Sequence, residues 1–566
     1  MVLNSNKGRD GTATQLEERQ AEGAGTAKRR AILNLDWKDL NPENMPRRRR
    51  QRGIITILSV VLLIMVLFTA LRLSVVASAV GDQLILRVGD QQAATVDLRQ
   101  SFPINPDLFG ANIFPRRGLT SQDGTSGFVD YTSSMLSVMR GMHIHLLRYP
   151  GGEWGEQHIL SIDQLKDFSQ LLDALQADGM LQAHLSGPVA DANGALQPAG
   201  MTTDLHSRAV LAGRWVDYMN NPKSQQRIGA HQKDPFHRVA LWTVGNEPNL
   251  SLNPLTGKPY TVAEYVSAFI QFSLEMHRSD PTIKVFGPEL SQFYGLGAGP
   301  TDAQGALWME GFLKGVSLYQ QQHPELSFQL LNGVSFHRYQ FDNPRQDPAL
   351  LLSSSNEWNY LLPSLRALIR QDFGQDLPIA ITEINANPGD KNPPPGQAAL
   401  WWADTLGTLM NQQVEYTAFF SATGVDRPYP FFVQGGLTVT TMARVMQLFA
   451  HMQSELIPLA IQHDPISVYA TQDKEHQTVS LLFVNKSPIA QNAQIEPLNR
   501  VLGFSPWHSQ DISLAGNSLV MVTLHRNGGA EAYSFTPSNN ANTAVAPLTY
   551  TECGNKTDPL AVSVPC

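Results

Sequence analysis

Two glutamates stand where short apolar runs stop. Leu241 to Val244 is followed by Gly245, Asn246, Glu247 and Pro248, and Ile379 to Thr382 is followed by Glu383, Ile384 and Asn385. A pair of carboxyl groups flanking an acetal is what glycoside hydrolysis requires. One protonates the leaving oxygen, and the other attacks the anomeric carbon or activates water. Glutamates at strand ends also cap helices and form ion pairs, so residue type alone leaves both readings open. The chemistry depends on elements that bring the two carboxyls face to face.

Between residues 105 and 455 short apolar runs alternate with segments of helical period. The runs are Leu108–Ile113, His143–Tyr149, Leu181–Leu185, Val239–Val244, Lys284–Gly287, Gly333–His337, Ile379–Thr382 and Tyr416–Phe420. Their continuous apolar character fits strands buried on both faces of a parallel sheet. Thr261 and Glu264 form a capping box ahead of Tyr265, Phe269, Phe272 and Met276 at helical spacing, and Asp280 with Pro281 ends that helix. Leu165, Phe168, Leu171, Leu172 and Leu175 mark a second amphipathic helix, and Met442, Val445, Met446 and Phe449 a last one. Eight β/α units predict an α/β fold, a (β/α)8 barrel with inserted loops; a doubly wound open sheet is the alternative. In a barrel the site lies at the C-terminal strand ends, and strands four and seven stand on roughly opposite sides of the mouth.

Asn246, Glu247 and Pro248 after strand four, with Glu383 after strand seven, resemble the signature of glycoside hydrolase clan A. Arg148, Tyr149, Pro150, Gly151 and Gly152 at the end of strand two resemble the subset with α-L-arabinofuranosidases, β-xylosidases and heparanase-like β-glucuronidases. The resemblance covers about residues 83–527. It implies retaining glycosidases on a barrel, with Glu247 as general acid/base and Glu383 as nucleophile, their carboxyls about 5–5.5 Å apart. It also implies that Asn246 binds the sugar 2-hydroxyl, that Arg148 keeps Glu383 ionised, and that the Tyr339 hydroxyl donates to Glu383. Glu247 must then be protonated before attack while Glu383 is ionised, so their surroundings have to differ. His337 either lines the pocket or packs as a hydrogen-bonded core histidine. Glu153 and Trp154 either touch sugar or pack the loop, Glu289 either supports the pair or forms a structural ion pair, and Asn112 is a candidate for sugar hydroxyls. One departure is at strand eight, where Phe419, Phe420, Ser421 and Ala422 stand in place of the clan's frequent Trp platform; Trp154, Tyr429 and Phe431 are candidate replacements.

Outside the barrel the pattern becomes strands without helices: Leu84–Val88 and Ala94–Leu98 before it, and Ile466–Thr471, Thr478–Val484, Ile489–Ile495 and Ser518–His525 after it. These predict one antiparallel β-sandwich built from both flanks, residues 83–104 and 456–530. Residues 531–566, rich in Ala, Asn, Thr and Pro, read as an irregular tail. Cys553 and Cys566, the chain's two cysteines, are expected to pair as a disulfide that pins it.

The 19 uncharged residues from Gly53 to Leu71 would rise about 28 Å as a helix, close to a bilayer's hydrocarbon thickness. Arg47, Arg48, Arg49, Arg50 and Arg52 precede them. The expectation is a cytoplasmic polar tail (1–52), a single-pass transmembrane anchor in the lipid bilayer (53–72), a linker (73–82) and an exported catalytic body. A cleaved signal peptide with a site near Ala77 and Ala79 is the alternative. Residues 1–52 carry 12 Lys/Arg against 7 Asp/Glu, net +5, so the remainder holds −13 of the total −8. An acidic body argues against nucleic acid as a partner.

The expected partner is a carbohydrate, an extracellular or plant-type polysaccharide or oligosaccharide, and the mechanism calls for no metal and no organic cofactor. His143 and His145 raise the possibility of a metal-dependent hydrolase, but three residues separate them from the strand's C-terminal turn. A degenerate barrel that only binds polysaccharide is a second rival, disfavoured because both glutamates and the supporting Arg148, Asn246 and Tyr339 are present; a transglycosylase is closer, since the same covalent intermediate can pass to a sugar hydroxyl. Asn249, Leu250 and Ser251 form a glycosylation sequon beside Glu247, expected to stay unmodified, and Pro393, Pro394 and Pro395 suggest a stiff wall.

Overall fold

The computed structural model describes residues 55–68 and 83–566, apart from 90, 188, 191–195, 198–203, 230–235, 341–346, 387–392, 424–428, 434–435, 460–463, 499–506, 527, 540–544 and 554–565. The chain divides into two compact units, Met1–Ala79 and Val80–Cys566.

Eight parallel strands of the second unit close into a barrel in chain order: Gly110–Asn112, Leu146–Tyr149, Asp178–Ala183, Leu241–Val244, Lys284–Leu290, Gly333–Tyr339, Ile379–Asn385 and Tyr416–Phe419. Each coincides with one of the apolar runs, because a strand covered by side chains inside the barrel and helices outside is apolar throughout. The open-sheet alternative is excluded by the pairing of strand eight with strand one. The lower interior is plugged by Leu146, Met180, Leu241, Phe286, Ala380 and Tyr416. Glycines at 110 and 333 make room for this plug. A methyl group at Gly333 would meet the Phe286 ring at 2.1 Å.

The outer helices start where the sequence signals them. Val262–Ser279 opens on the Thr261/Glu264 capping box, and Ile162–Leu175 on a second box made by Ser161 and Gln164. Pro394 and Pro395 are the cap and first residue of helix Pro395–Asn411, where a missing N–H costs nothing, rather than a free-standing wall. Strand two begins at Leu146, so His143 and His145 sit in the turn before it, at the end of the barrel opposite the mouth. That placement removes them from any catalytic metal site there.

Apart from two short two-stranded ribbons in the barrel's loops, the antiparallel strands among the described residues form two sheets. The smaller orders 91–97, 83–88, 491–497 and 510–514, and the larger 549–552, 530–535, 518–525, 478–485, 466–473, 455–457 and 102–103. The larger sheet is covered on both faces. Along strand Thr478–Asn485, Val479, Leu481 and Phe483 pack in the sandwich core, while Leu482 and Val484 pack against the barrel's helices. The tail differs from expectation. Ala530–Phe535 and Thr549–Glu552 extend the larger sheet as its edge. With small or polar residues on the exposed side, such an edge lacks the apolar run that marks central strands. Cys553 and Cys566 form a disulfide. Cys553 follows the last strand of the larger sheet, whereas Cys566 pairs with Asp511 on the edge of the smaller one, so the bond staples one sheet to the other.

In the first unit, residues 55–68 form a helix of exposed apolar residues. The expected transmembrane span is not found. Fourteen residues rise about 21 Å, and no helix among the described residues is long and apolar enough to cross a membrane. The bilayer contact therefore has no structural support. The polar tail 1–52, the linker 73–82 and the remaining residues of the expected span lie outside the described residues.

Candidate active site

Arg148, fully buried at the end of barrel strand two, is the hub of the mouth. Its Nη1 donates to Asn112 Oδ1 and Glu383 Oε1, both at 2.9 Å. Its Nη2 donates to Asn246 Oδ1 and Glu289 Oε2, both at 2.8 Å. The planar guanidinium suits this work because its donors are fixed in one fork. Burial alone would lower its affinity for a proton, but Glu289 and Glu383 reverse that and raise it.

Glu383 is 4% exposed and accepts from Arg148 on Oε1 and from the Tyr339 hydroxyl, at 2.6 Å, on Oε2. The backbone of Gly152 passes so close that a methyl group there would lie 2.5 Å from Glu383 Oε1. With φ of +63° as well, that position requires glycine, which accounts for the second of the two glycines after Pro150. Glu247 projects from a turn in which Gly245 has φ of +74° and Glu247 itself +44°. Its N–H is held by the Glu289 carbonyl at 3.0 Å, and the Ser251 hydroxyl donates to its own carbonyl. A non-glycine residue held at positive φ is uncommon, and such positions cluster at functional sites.

His337 is completely buried. It does not line the pocket but lies beneath the carboxylates. Its Nδ1 stands 2.8 Å from Glu247 Oε1 and 3.6 Å from Glu383 Oε2, and its Nε2 3.5 Å from Glu289 Oε2. Burial would push the ring's pKa down, but Glu383, Glu247 and Glu289 lift it to about 9. Glu289, also fully buried, accepts from the Thr382 hydroxyl at 2.9 Å. Its burial opposes ionisation, yet Arg148 and His337 hold its carboxyl down to about 2. Three carboxyl groups, the Arg148 guanidinium and the His337 ring are thus packed in one cluster. A carboxylate oxygen of Glu247, one of Glu383 and a ring nitrogen of His337 all lie within 4.8 Å of one another.

Above the cluster opens a cleft of about 340 Å³ lined by Glu153, Asn246, Glu247, Leu250, Ser291, Gln292, Tyr294, Tyr339, Glu383 and Phe420. Trp154 is not among its walls. On helix Glu153–Gln157 successive side chains diverge by about 100°, so when Glu153 faces the cleft Trp154 turns to the core and His158. Asn112 does not reach it either. Its amide donates to the Thr382 and Ala418 carbonyls, and its carbonyl oxygen accepts from Arg148. Phe431 is buried against Phe419, and the Tyr429 hydroxyl donates to the Pro393 carbonyl; neither is a platform in the cleft. Phe420 and Tyr294 present aromatic surface there instead. Asn249 is clamped at both ends of its amide by Ser291, which leaves the sequon nitrogen engaged. Gln182, buried between Arg148, Glu156 and the Gly152 carbonyl, was not singled out by the sequence, where its only signal is a polar residue within an apolar strand.

No family model matches the chain, and no curated protein matches it. Solved structures do. CelM2, a bifunctional glucanase-xylanase from a metagenome library, aligns with a TM-score of 0.53 at 13% identity, over 75% of this chain and 97% of its own. A family 44 xyloglucanase from Paenibacillus polymyxa gives 0.52 at 14% identity over 75% and 97%. An α-L-arabinofuranosidase from Thermotoga maritima gives 0.50 at 14% identity over 80% and 98%. The resemblance to glycoside hydrolase clan A carried by Arg148 to Gly152, Asn246 to Pro248 and Glu383 thus extends to the three-dimensional fold.

Proposed function

We propose that this protein is a retaining glycoside hydrolase acting on a polysaccharide or oligosaccharide by double displacement. The observation that carries the reading is the approach of Glu247 and Glu383 across one open cleft, with carboxylate oxygens within 4.8 Å. That spacing suits direct attack; an inverting pair needs room for a water between its carboxyls. Glu247, the more exposed of the two, gives its proton to the glycosidic oxygen as the C–O bond breaks, and the leaving group departs as an alcohol. Glu383, oriented by Arg148 and Tyr339, bonds to the anomeric carbon. Glu247 then takes a proton from water, whose oxygen attacks that carbon and releases Glu383. Asn246 stands beside both groups on the cleft wall, in reach of a 2-hydroxyl. The Cys553–Cys566 disulfide fits an oxidising compartment and supports export.

The test is a panel of aryl arabinofuranosides, xylosides, glucosides and glucuronides with purified protein. Glu383→Ala is expected to abolish turnover, with azide restoring a product of inverted anomeric configuration. Glu247→Ala is expected to lower kcat by about 10²–10⁴-fold on poor leaving groups and far less on activated ones. Full activity in both variants would remove the assignment, and binding without turnover by wild type would indicate a polysaccharide-binding barrel.

A further inference from the structure

The cluster under the cleft holds one more charged group than double displacement needs. Given the proposed roles of Glu247 and Glu383, on which this rests, the two nitrogens of His337 face in telling directions. Nδ1 faces Glu247 Oε1 and, slightly farther, Glu383 Oε2; Nε2 faces Glu289 Oε2. A neutral imidazole has one nitrogen that only accepts: bare at Nδ1 it would turn a lone pair toward Glu383 Oε2 at 3.6 Å, and bare at Nε2 toward Glu289 Oε2 at 3.5 Å. The doubly protonated ring meets both of these carboxylates, and Glu247 Oε1 accepts from Nδ1–H as well when the acid proton is on its other oxygen.

We propose that His337, anchored through Nε2–H on Glu289, is a permanent imidazolium that serves Glu383 and Glu247 in turn. It is a positioning residue that stays with the negative charge as that charge passes from one carboxylate to the other. In the resting site Arg148 and His337 balance Glu289 and Glu383, and Glu247 carries its proton. When Glu383 bonds to the anomeric carbon it loses its charge. Glu247, having given up its proton, gains one. The net charge of the buried cluster is unchanged, and the Nδ1–H lies within reach of both carboxylates, so the step needs no rearrangement of buried charge. The groups facing the ring are Glu247 from the turn after strand four, Glu289 from strand five and Glu383 from strand seven. Arg148 on strand two touches the latter two. Glu289 is therefore the fixed counter-ion, held by Arg148 and Thr382 and closed off from the cleft. Its own φ of +59° marks a backbone set to aim it inward.

The experiment reads the ring directly and then the kinetics. In the full chain labelled with ¹⁵N-histidine, the His337 signals are those lost in His337→Gln. Both ring nitrogens are expected to be protonated at pH 7.5 in wild type and one of them unprotonated in Glu289→Gln. For the 2,4-dinitrophenyl glycoside of whichever sugar wild type turns over, cleavage needs no acid from the enzyme. The alkaline limb of kcat/KM then reports the imidazolium, and in Glu289→Gln it is expected to move at least one pH unit lower. His337→Gln is expected to lower kcat by about 10²-fold with KM within about twofold. A wild-type ring with one bare nitrogen at pH 7.5 overturns the proposal, and so do pH profiles that superimpose after scaling, since a packing role changes amplitude alone. The wild-type titration stands even where Glu289→Gln does not fold. It is also independent of the glycosidase assignment, which falls instead when Glu383→Ala retains turnover.

Discussion

A methyl group at position 152 would lie 2.5 Å from Glu383 Oε1 on a backbone already at positive φ. Gly152→Ala is therefore expected to displace the carboxylate from Arg148 and Tyr339 while leaving Glu247 and Glu383 themselves in the sequence. The outcome is a loss of kcat of about 10²-fold or more, with a stability cost of about 1–3 kcal/mol, read from kinetics and denaturant unfolding side by side. Intact kcat would mean that Glu383 is not held where the reaction needs it. At this scale the sequence was informative about which strand end a residue occupies and much less so about its rotation. Glu247, Glu383, Arg148, Asn246 and Tyr339 converge because each ends a strand of the barrel. Asn112 also ends a strand, but the register between strands seven and eight is irregular there, and its amide is taken by the Thr382 and Ala418 carbonyls. No residue pattern records that claim on a side chain. Glu289 was open to two readings, and burial at 0% with three polar neighbours joins them: it is an ion-pair partner inside the site.

Helix Pro395–Asn411 and the strand Thr478–Asn485 are locked by one buried ion pair. Lys486 Nζ lies 2.8 Å from Asp404 Oδ2 and 2.7 Å from Asp464 Oδ1, and Asp404 also accepts from the Tyr469 hydroxyl. Burial works against the Lys486 charge, but the two aspartates raise its proton affinity. Lys486→Ala leaves Asp404 buried without its cation and is expected to cost about 3–5 kcal/mol in denaturant unfolding. Lys486→Met combined with Asp404→Asn is expected to recover most of that loss. An additive double variant would show that the pair is not coupled. Elements of this kind were legible wherever local chemistry marks them. The Thr261/Glu264 box and the eight apolar runs each specify an element by themselves. The Lys486 pin joins residues 82 positions apart and leaves no local trace.

Across the whole molecule, the sandwich shows where sequence pattern loses its power. Strands of the larger sheet read as continuous apolar runs because one face covers the barrel helices and the other covers the smaller sheet. Strand 549–552 is its exposed edge, and 530–535 buries only small residues, Ala530 and Ala532, toward the smaller sheet, so neither forms an apolar run and both read as tail. The disulfide closes that edge onto the smaller sheet. Cys553→Ser with Cys566→Ser is expected to destabilise the protein by about 2–3 kcal/mol and to leave kcat unchanged. The comparison is thermal unfolding with and without reductant, and an unchanged midpoint would show that the strands hold the tail unaided. The barrel was readable because alternating elements of fixed length admit few closed arrangements. That the two flanks join in one sandwich was readable too; the order of strands within its sheets was not, since nothing local says which distant β-segments will lie side by side.

Strand Gln83–Val88 lies between 91–97 and 491–497, with Leu84 opposite Pro497. Its inner neighbour is thus encoded about 400 residues downstream. At a synthesis rate of about 5–20 residues per second, the first hairpin emerges some 20–80 s before that neighbour exists. Throughout that interval Leu84 and Leu86 have no cover and one strand edge is bare, an open invitation to the same hairpin on an adjacent ribosome. The two short strands that start the second unit thus expose the nascent chain to sticking for as long as the rest of that unit takes to be made.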